Sequence, residues 1–125
     1  MKKVFLNWDD IESLVDILSE NIETDKYKGL FGVPRGGLIP PVMISHRTGL
    51  KLVDKISDKI LVVDDILDTG ETLKNIKNDI VCLHKKPHTI TEPIVYSELI
   101  DNDFWIVYPW ELDDSEEKRD KTFGN

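Results

Sequence analysis

The sequence predicts an α/β fold, a single domain with a mainly parallel, twisted sheet flanked by helices. Three observations point there. Ile60-Leu61-Val62-Val63 is an unbroken apolar run, as strands buried on both faces show. Stretches with helical spacing alternate along the chain with short apolar runs, the pattern of parallel strands joined by crossovers. The length, 125 residues, suits one domain with one core.

Element by element, Trp8 to Ile22 reads as a helix. Ile11, Leu14, Val15, Leu18 and Ile22 recur at helical spacing, and Asp9 or Asp10 is placed to cap the start. Asn21 to Lys28 is a polar connection. Gly29 to Val33 is a short buried strand running into the turn Pro34-Arg35-Gly36-Gly37. A second helix is expected from Pro40 or Pro41, because proline is tolerated in a first turn, and it ends near Gly49. Leu50 to Asp54 is a strand candidate, Ile60 to Val63 the clearest strand, and Glu71 to Asn78 a third helix. Strands follow at Ile80 to Leu83, Pro93 to Tyr96 and Phe104 to Tyr108. From Asp113 to Asn125 the chain is charged and without apolar periodicity, so a mobile acidic tail is expected at 113–125, after a domain at 1–112.

Composition excludes several classes. With 40% apolar and 32% charged residues the chain reads as an ordinary globular protein. No apolar run approaches the roughly 20 residues of a bilayer span, and Met1 to Leu6 is too short for a secretory signal, so no membrane partner is expected. The net charge of −8 argues against a nucleic-acid partner, which would favour a basic face. A phosphorylated small substrate stays open, because main-chain N–H groups and Mg²⁺ hold phosphate without a basic protein. The lone cysteine, Cys82, excludes an intrachain disulfide and suits a reducing cytoplasm.

The chemistry-bearing stretch runs from Ile60 to Thr72. An apolar strand delivers two adjacent carboxylates, Asp64 and Asp65, at its carboxyl end. A tight turn with Asp68, Thr69, Gly70, Glu71 and Thr72 follows. Ligands of open α/β sheets bind at this position. A helix N-terminus there suits a phosphate, hydroxyls of Thr69 and Thr72 can donate, and Gly70 permits close approach. The paired acids suit ribose hydroxyls or Mg²⁺. A Walker loop and a dinucleotide fingerprint are both absent. Two aspartates separated by one residue, as a phosphoaspartate hydrolase needs, do not occur in this stretch. Three Asp and two Thr around one glycine are more than a capped strand-to-helix turn requires.

Val62 to Thr72 resembles the phosphoribosyl-diphosphate signature of type I phosphoribosyltransferases. Gly32-Val33-Pro34-Arg35-Gly36-Gly37-Leu38-Ile39-Pro40 is similar to that family's diphosphate loop. Phe104-Trp105-Ile106-Val107-Tyr108-Pro109-Trp110-Glu111 looks like the C-terminal hood of xanthine-guanine and related purine phosphoribosyltransferases. The resemblance covers residues 5–111 and places a small hood at about 84–112. It implies Mg²⁺-dependent transfer of a phosphoribosyl group from phosphoribosyl diphosphate to xanthine, guanine or hypoxanthine. It further implies purine salvage in the cytoplasm and assembly with further copies of the chain. Asp64 and Asp65 are then expected on the ribose hydroxyls, with Asp65 as the metal contact. Asp68, Thr69, Gly70, Glu71 and Thr72 are expected around the 5′-phosphate, with Asp68 as the catalytic proton acceptor. Arg35 and Gly36 are expected on the diphosphate, through a strained or cis peptide. Lys86 is expected on the purine's exocyclic oxygen, and Trp105 and Ile106 on the purine edge.

One departure stands out. The family carries a long flexible loop, often with adjacent Ser and Tyr, before the signature strand. Here only Lys55-Ile56-Ser57-Asp58-Lys59 separates Val53-Asp54 from Ile60, and no Ser-Tyr pair occurs. Closing lids exclude water and complete sites. Slow transfer, leakage to hydrolysis or a lid lent by a neighbouring subunit is the expectation. A non-catalytic regulator that binds phosphoribosyl diphosphate or a nucleotide is the alternative. His46, His84 and His88 with Cys82 lack the paired spacing of a zinc site, and surface or site-lining roles fit them better.

Overall fold

The computed structural model describes residues 1–113. The first helix, α1 (Trp8–Glu20), buries Ile11, Leu14, Val15 and Leu18. Its cap is Asn7 rather than either aspartate that follows. The Asn7 side chain accepts from Asp10 N at 2.8 Å, and the Asp10 carboxylate accepts from Asn7 N at 2.9 Å. Two otherwise orphaned donors are thereby satisfied reciprocally. A 3₁₀ turn, Thr24–Lys26, lies in the polar connection.

Strand β2 (Gly29–Gly32) leads through a 3₁₀ turn, Gly36–Leu38, into α2 (Ile39–Thr48), with Pro40 and Pro41 in its first turn. Gly49, at φ 81°, ends α2 in the left-handed conformation that glycine adopts without a steric penalty. The expected strand at Leu50 to Asp54 shrinks to one bridge, between Leu30 and Leu52. Strands β3 (Ile60–Leu67), β4 (Ile80–Lys85) and β5 (Val95–Leu99) complete a four-stranded parallel sheet in the order β2-β3-β4-β5.

A second, two-stranded parallel sheet joins β1 (Lys2–Phe5) to β6 (Phe104–Val107). Sequence reasoning assigns no element to residues 2–5. The strand is short and largely exposed, and its partner lies at the far end of the chain, so no local pattern marks it.

Both helices pack on one face of the main sheet. There Leu30, Leu61, Val63, Val81 and Leu83 meet the buried stripe of α1, Ile44 of α2, and Ile106 and Tyr108 from beyond. On the other face Val33, Val62, Leu67, Ile80 and Cys82 surround Leu73. The third helix expected at Glu71 to Asn78 does not form. Residues 72–75 are turn, with Ile76 N bonded to Leu73 O at 3.0 Å. Leu73 and Ile76 are the segment's only apolar residues, and so short a stretch does not repay helix nucleation. The Asn78 amide instead donates to Ser57 O and Ile60 O, both at 2.9 Å, pinning the segment to the start of β3. Except for Asp113, the tail expected at 113–125 lies outside the described residues.

The capping box makes a measurable prediction. Asn7→Ala is expected to lower unfolding stability by about 1 kcal/mol. In urea the midpoint should fall with an unchanged slope; an unshifted midpoint would show that the box contributes nothing.

Candidate active site

The register between β2 and β3 ends at Gly32 opposite Val63, with Val33 N bonded to Val63 O at 2.9 Å. Strand β3 continues to Leu67, paired with Lys85 on its other side. Asp64 to Leu67 therefore overhang the end of β2, and the carboxylate pair sits within the strand rather than beyond its tip. The chain leaving β2 turns across this vacated flank. Its Pro34–Arg35 peptide is cis, and Arg35 is exposed. Gly36 and Gly37 lie so close to β3 that side chains are excluded. A Cβ on Gly36 would run into the Asp65 carboxylate, and one on Gly37 would sit 2.9 Å from Val63 O and 3.0 Å from Asp64 Oδ1. Asp64 Oδ1 accepts from Asp65 N, and Asp65 Oδ1 from Ile66 N, each at 2.8 Å. Asp65 is buried and Asp64 half-buried.

Beyond β3, residues 68–72 form a loop turning at Gly70, φ 83°. Thr69 Oγ1 accepts from Glu71 N at 3.3 Å, and the Glu71 carboxylate pairs with Lys74 at 2.9 Å. Thr69 and Glu71 are exposed, and Thr72 is half-buried. Among the described residues no helix N-terminus stands behind this loop, so a phosphate here would be met by loop N–H groups and hydroxyls rather than by a helix dipole.

A second loop, residues 86–91, is laced to the first. Lys86 N donates to Leu67 O at 3.0 Å, Ile90 N to Thr69 O at 2.8 Å, and Thr91 Oγ1 to Gly70 O at 2.5 Å. A Cβ on Gly70 would collide with Thr89 Oγ1. Across the paired loops His88 Nε2 lies 2.6 Å from Asp68 Oδ1.

Lys86 is 2% exposed. Its ammonium donates to the carbonyls of Asn102, at 3.3 Å, and Phe104, fastening the start of β6 to the loop. Trp105 is half-buried. Ile106 is in the core at 1% exposure, so only its main chain is available to a ligand. Asp65 thus meets Gly36 and Asp64 meets Gly37, Asp68 to Thr72 form the adjoining loop, and Lys86 links the end of β3 to β6. Sequence reasoning missed the contact of His88 with Asp68, although the two-residue step from Lys86 to His88 was a signal within the same loop.

Under the acidic pair runs a chain of polar groups, buried at Tyr108 and His84 and reaching the surface at Glu98. Tyr108 OH donates to Asp65 O at 3.1 Å and lies 2.8 Å from His84 Nδ1; His84 Nε2 is 3.0 Å from Glu98 Oε1. Tyr108 stacks on Trp110 with centroids 4.8 Å apart, and Trp110 meets Trp8 at 5.9 Å. Burial lowers the His84 pKa below its ordinary 6.5, outweighing the raising effects of Glu98 and Asp65. Burial, reinforced by the charge of Asp64, pushes the Cys82 thiol up, which leaves it a packing residue rather than a nucleophile. Among the described residues no group of three or more His, Cys, Asp or Glu is arranged to hold a metal ion. No helix among them is long and apolar enough to cross a membrane.

No protein-family model matches the chain. The structure superposes on a purine phosphoribosyltransferase from Pyrococcus horikoshii with a TM-score of 0.77 and 32% identity, over 90% of this chain and 96% of that one. The chain belongs to the purine phosphoribosyltransferases. A xanthine-guanine phosphoribosyltransferase of Idiomarina loihiensis is 22% identical over 142 aligned positions, covering 89% of this chain and 88% of that one. The xanthine-guanine-hypoxanthine phosphoribosyltransferase of Helicobacter pylori shares the fold, with a TM-score of 0.73 and 21% identity over 93% of this chain and 98% of that one.

In this phosphoribosyltransferase the shortened loop before the signature strand is a closed structural feature. Val53 N bonds to Leu30 O at 2.9 Å, Lys28 N to Lys59 O at 2.8 Å, and Ile60 N to Ser57 O at 3.3 Å. The segment turns back at the amino end of the sheet, opposite the acidic pair.

Two predictions follow from these contacts. Gly36→Ala is expected to displace the Asp65 carboxylate and lower phosphoribosyl transfer by about tenfold or more in kcat/KM, about 1.4 kcal/mol. A folded variant with unchanged kcat/KM would contradict the close packing. His84, buried with a lowered pKa, binds a proton more readily in the unfolded chain. Its contribution is complete above pH 6.5 and is lost as pH falls below that value, by at most about 1.4 kcal/mol per pH unit. Urea titrations between pH 7.5 and 5 should show this extra acid loss in the wild type and not in His84→Gln; parallel curves would refute it.

Proposed function

We propose that this enzyme transfers the phosphoribosyl group of phosphoribosyl diphosphate to a 6-oxopurine base — xanthine, guanine or hypoxanthine — and releases diphosphate. The observation that carries this reading is the packing of the Arg35–Gly36 turn against the Asp64–Asp65 pair, beside the Asp68 to Thr72 loop. A diphosphate, a ribose and a 5′-phosphate then have adjacent places in one crevice.

In the reaction the bond from ribose C1′ to the diphosphate oxygen breaks, and a bond from C1′ to a purine nitrogen forms. The displaced electron pair leaves on diphosphate, and the purine nitrogen loses its proton. Asp64 and Asp65 hold the ribose hydroxyls as C1′ becomes electron-poor. Thr69, Gly70, Glu71 and Thr72 hold the 5′-phosphate through main-chain N–H groups and hydroxyls. Arg35 and the Gly36 N–H meet the diphosphate, where the guanidinium stabilises charge that develops as the bond breaks. Asp68 accepts the purine proton, as a positioned carboxylate can. Lys86 retains N–H capacity beyond its two carbonyl contacts and binds the exocyclic oxygen, while Trp105 and the main chain of Ile106 border the base.

The residues present suit Mg²⁺. Adjacent carboxylates are the hard oxygen donors it takes, and it characteristically completes its shell with water and substrate phosphates, so a three-residue protein cluster is unnecessary. Asp65 is the proposed metal contact, with Asp64 beside it; bound there, the ion supplies charge neutralisation for the leaving diphosphate. Action on free purine bases in the cytoplasm, and assembly of several copies, belong to the same proposal.

Incubation with phosphoribosyl diphosphate, Mg²⁺ and each purine in turn should yield the corresponding nucleoside monophosphate and diphosphate. Folded protein that binds the sugar phosphate and forms no nucleotide from any purine would favour a binding regulator instead. Excess EDTA should abolish turnover and Mg²⁺ restore it. Asp68→Asn should lower kcat by about 100-fold or more while sugar-phosphate binding persists; unchanged kcat would remove Asp68 as the proton acceptor.

A further inference from the structure

The loop at residues 86–91 carries a side chain that the transfer reaction described above leaves unused. His88 Nε2 lies 2.6 Å from Asp68 Oδ1, within hydrogen-bond distance. We infer that His88 is a positioning residue for phosphoribosyl transfer, holding Asp68 Oδ1 so that Oδ2 is presented to the purine N–H. This rests on the reading of Asp68 as the proton acceptor.

The geometry favours this role over that of a casual surface pair. Exposed ion pairs are usually made between independently mobile side chains and contribute little. Here the two loops are joined on both sides of the pair. Lys86 N donates to Leu67 O at 3.0 Å on one side, and Ile90 N to Thr69 O at 2.8 Å on the other. Thr91 Oγ1 adds a bond to Gly70 O at 2.5 Å, and Thr89 lies too close to Gly70 for any Cβ there. Residues 67–70 and 86–91 therefore form one unit, and the main-chain positions of His88 and Asp68 are fixed relative to each other.

Asp68 needs such a hold. It follows the last residue of β3, on a loop rather than in the ladder, and its side chain is 36% exposed. Among the described residues His88 is the partner of its carboxylate. A carboxylate free to rotate would present either oxygen, or neither, to a base stacked in the crevice. A bond from Nε2–H to Oδ1 leaves one orientation. When Oδ2 takes the purine proton, the Nε2–H contact remains on Oδ1, now a carbonyl oxygen. His88 itself neither gains nor loses a proton in this sequence, so the proton balance of the transfer is unchanged. The same loop carries Lys86 two residues earlier, so one rigid turn addresses the exocyclic oxygen and orients the proton acceptor.

The test is a set of variants assayed for kcat and KM with phosphoribosyl diphosphate and the preferred purine, each checked for folding by its urea midpoint. His88→Ala is expected to lower kcat about tenfold with KM for phosphoribosyl diphosphate unchanged. His88→Gln places an amide N–H near the Nε2 position and should restore most of kcat; His88→Asn, whose shorter amide falls near Nδ1, should not. In an Asp68→Asn background His88→Ala should have no further effect, since both act through one carboxylate. Wild-type kcat in His88→Ala, equal loss in the Gln and Asn variants, or additive losses in the double variant would each overturn the inference. Failure of the underlying reading is recognised separately: Asp68→Asn would then turn over normally, whereas an inactive Asp68→Asn beside a fully active His88→Ala defeats only the role of His88.

Discussion

Strand β3 outruns β2, and the rest of the site is arranged around that difference. Were β2 to continue beside β3, the Gly36–Gly37 turn could not pack against Asp64 and Asp65. Because β2 turns away after Val33, one flank of β3 is left for Gly36 and Gly37, which approach the strand as closely as main chain permits. The absence of Cβ atoms at both positions is thus a requirement of the overhang. The carboxylates are held in place, each accepting the next residue's main-chain N–H. Oriented acids facing a flexible substrate cost less ordering on binding than acids that must first be gathered.

The overhang is steadied from below by the second sheet. Tyr108, 1% exposed at the end of β6, reaches Asp65 O, and β6 is registered by β1 from Lys2 opposite Phe104 to Phe5 opposite Val107. Lys2 N to Asp103 O and Leu6 N to Val107 O, both at 3.0 Å, continue that pairing at either end. Lys86 connects the same sheet to the loop beside Asp68. The residues nearest the chain's first methionine therefore help to locate Asp65 and the loop beside Asp68, through one strand and one tyrosine. Trp8 and Trp110 close the arrangement, with Trp110 stacked on Tyr108.

What could be read in advance was whatever has a local signature. The stripe Ile11, Leu14, Val15, Leu18 marked α1, the prolines and Gly49 bracketed α2, and the apolar run at Ile60 marked β3. The acidic signature and the Arg35–Gly36 turn announced the family on residue types alone. What could not be read depended on partners distant in sequence. β1 exists because β6 exists, β3 extends through two aspartates because β4 stays beside it, and residues 71–78 stay unwound because Asn78 is tied to Ser57 and Ile60. The cap of α1 went to Asn7 because an asparagine with aspartate three residues on closes a reciprocal pair, which neither aspartate alone would do. His88 was visible as a residue but not as a contact, since its neighbour belongs to another loop.

The short connection before β3 changes how such a site must work. A long lid gains its effect by closing: it pays ordering entropy when substrate arrives and returns a dry, completed site. Residues 54–59 have no such freedom. They are fastened at the amino end of the sheet by Lys28 N to Lys59 O and by the Asn78 amide, on the side away from the acids. Organisation that closure would supply has to be present beforehand, and the loops at 67–70 and 86–91 supply it in another form. Their cross-bonds fix residues 67–70 and the loop that carries Lys86 relative to one another before any ligand enters. Fixed donors of this kind retain their electrostatic effect without reorganisation during the reaction. They do not expel water, so in the proposed reaction protection of the ribose carbon from hydrolysis rests on how tightly the incoming purine covers it. In a site so built, the orientation of the proposed proton acceptor matters more than in one that can tighten around its substrate.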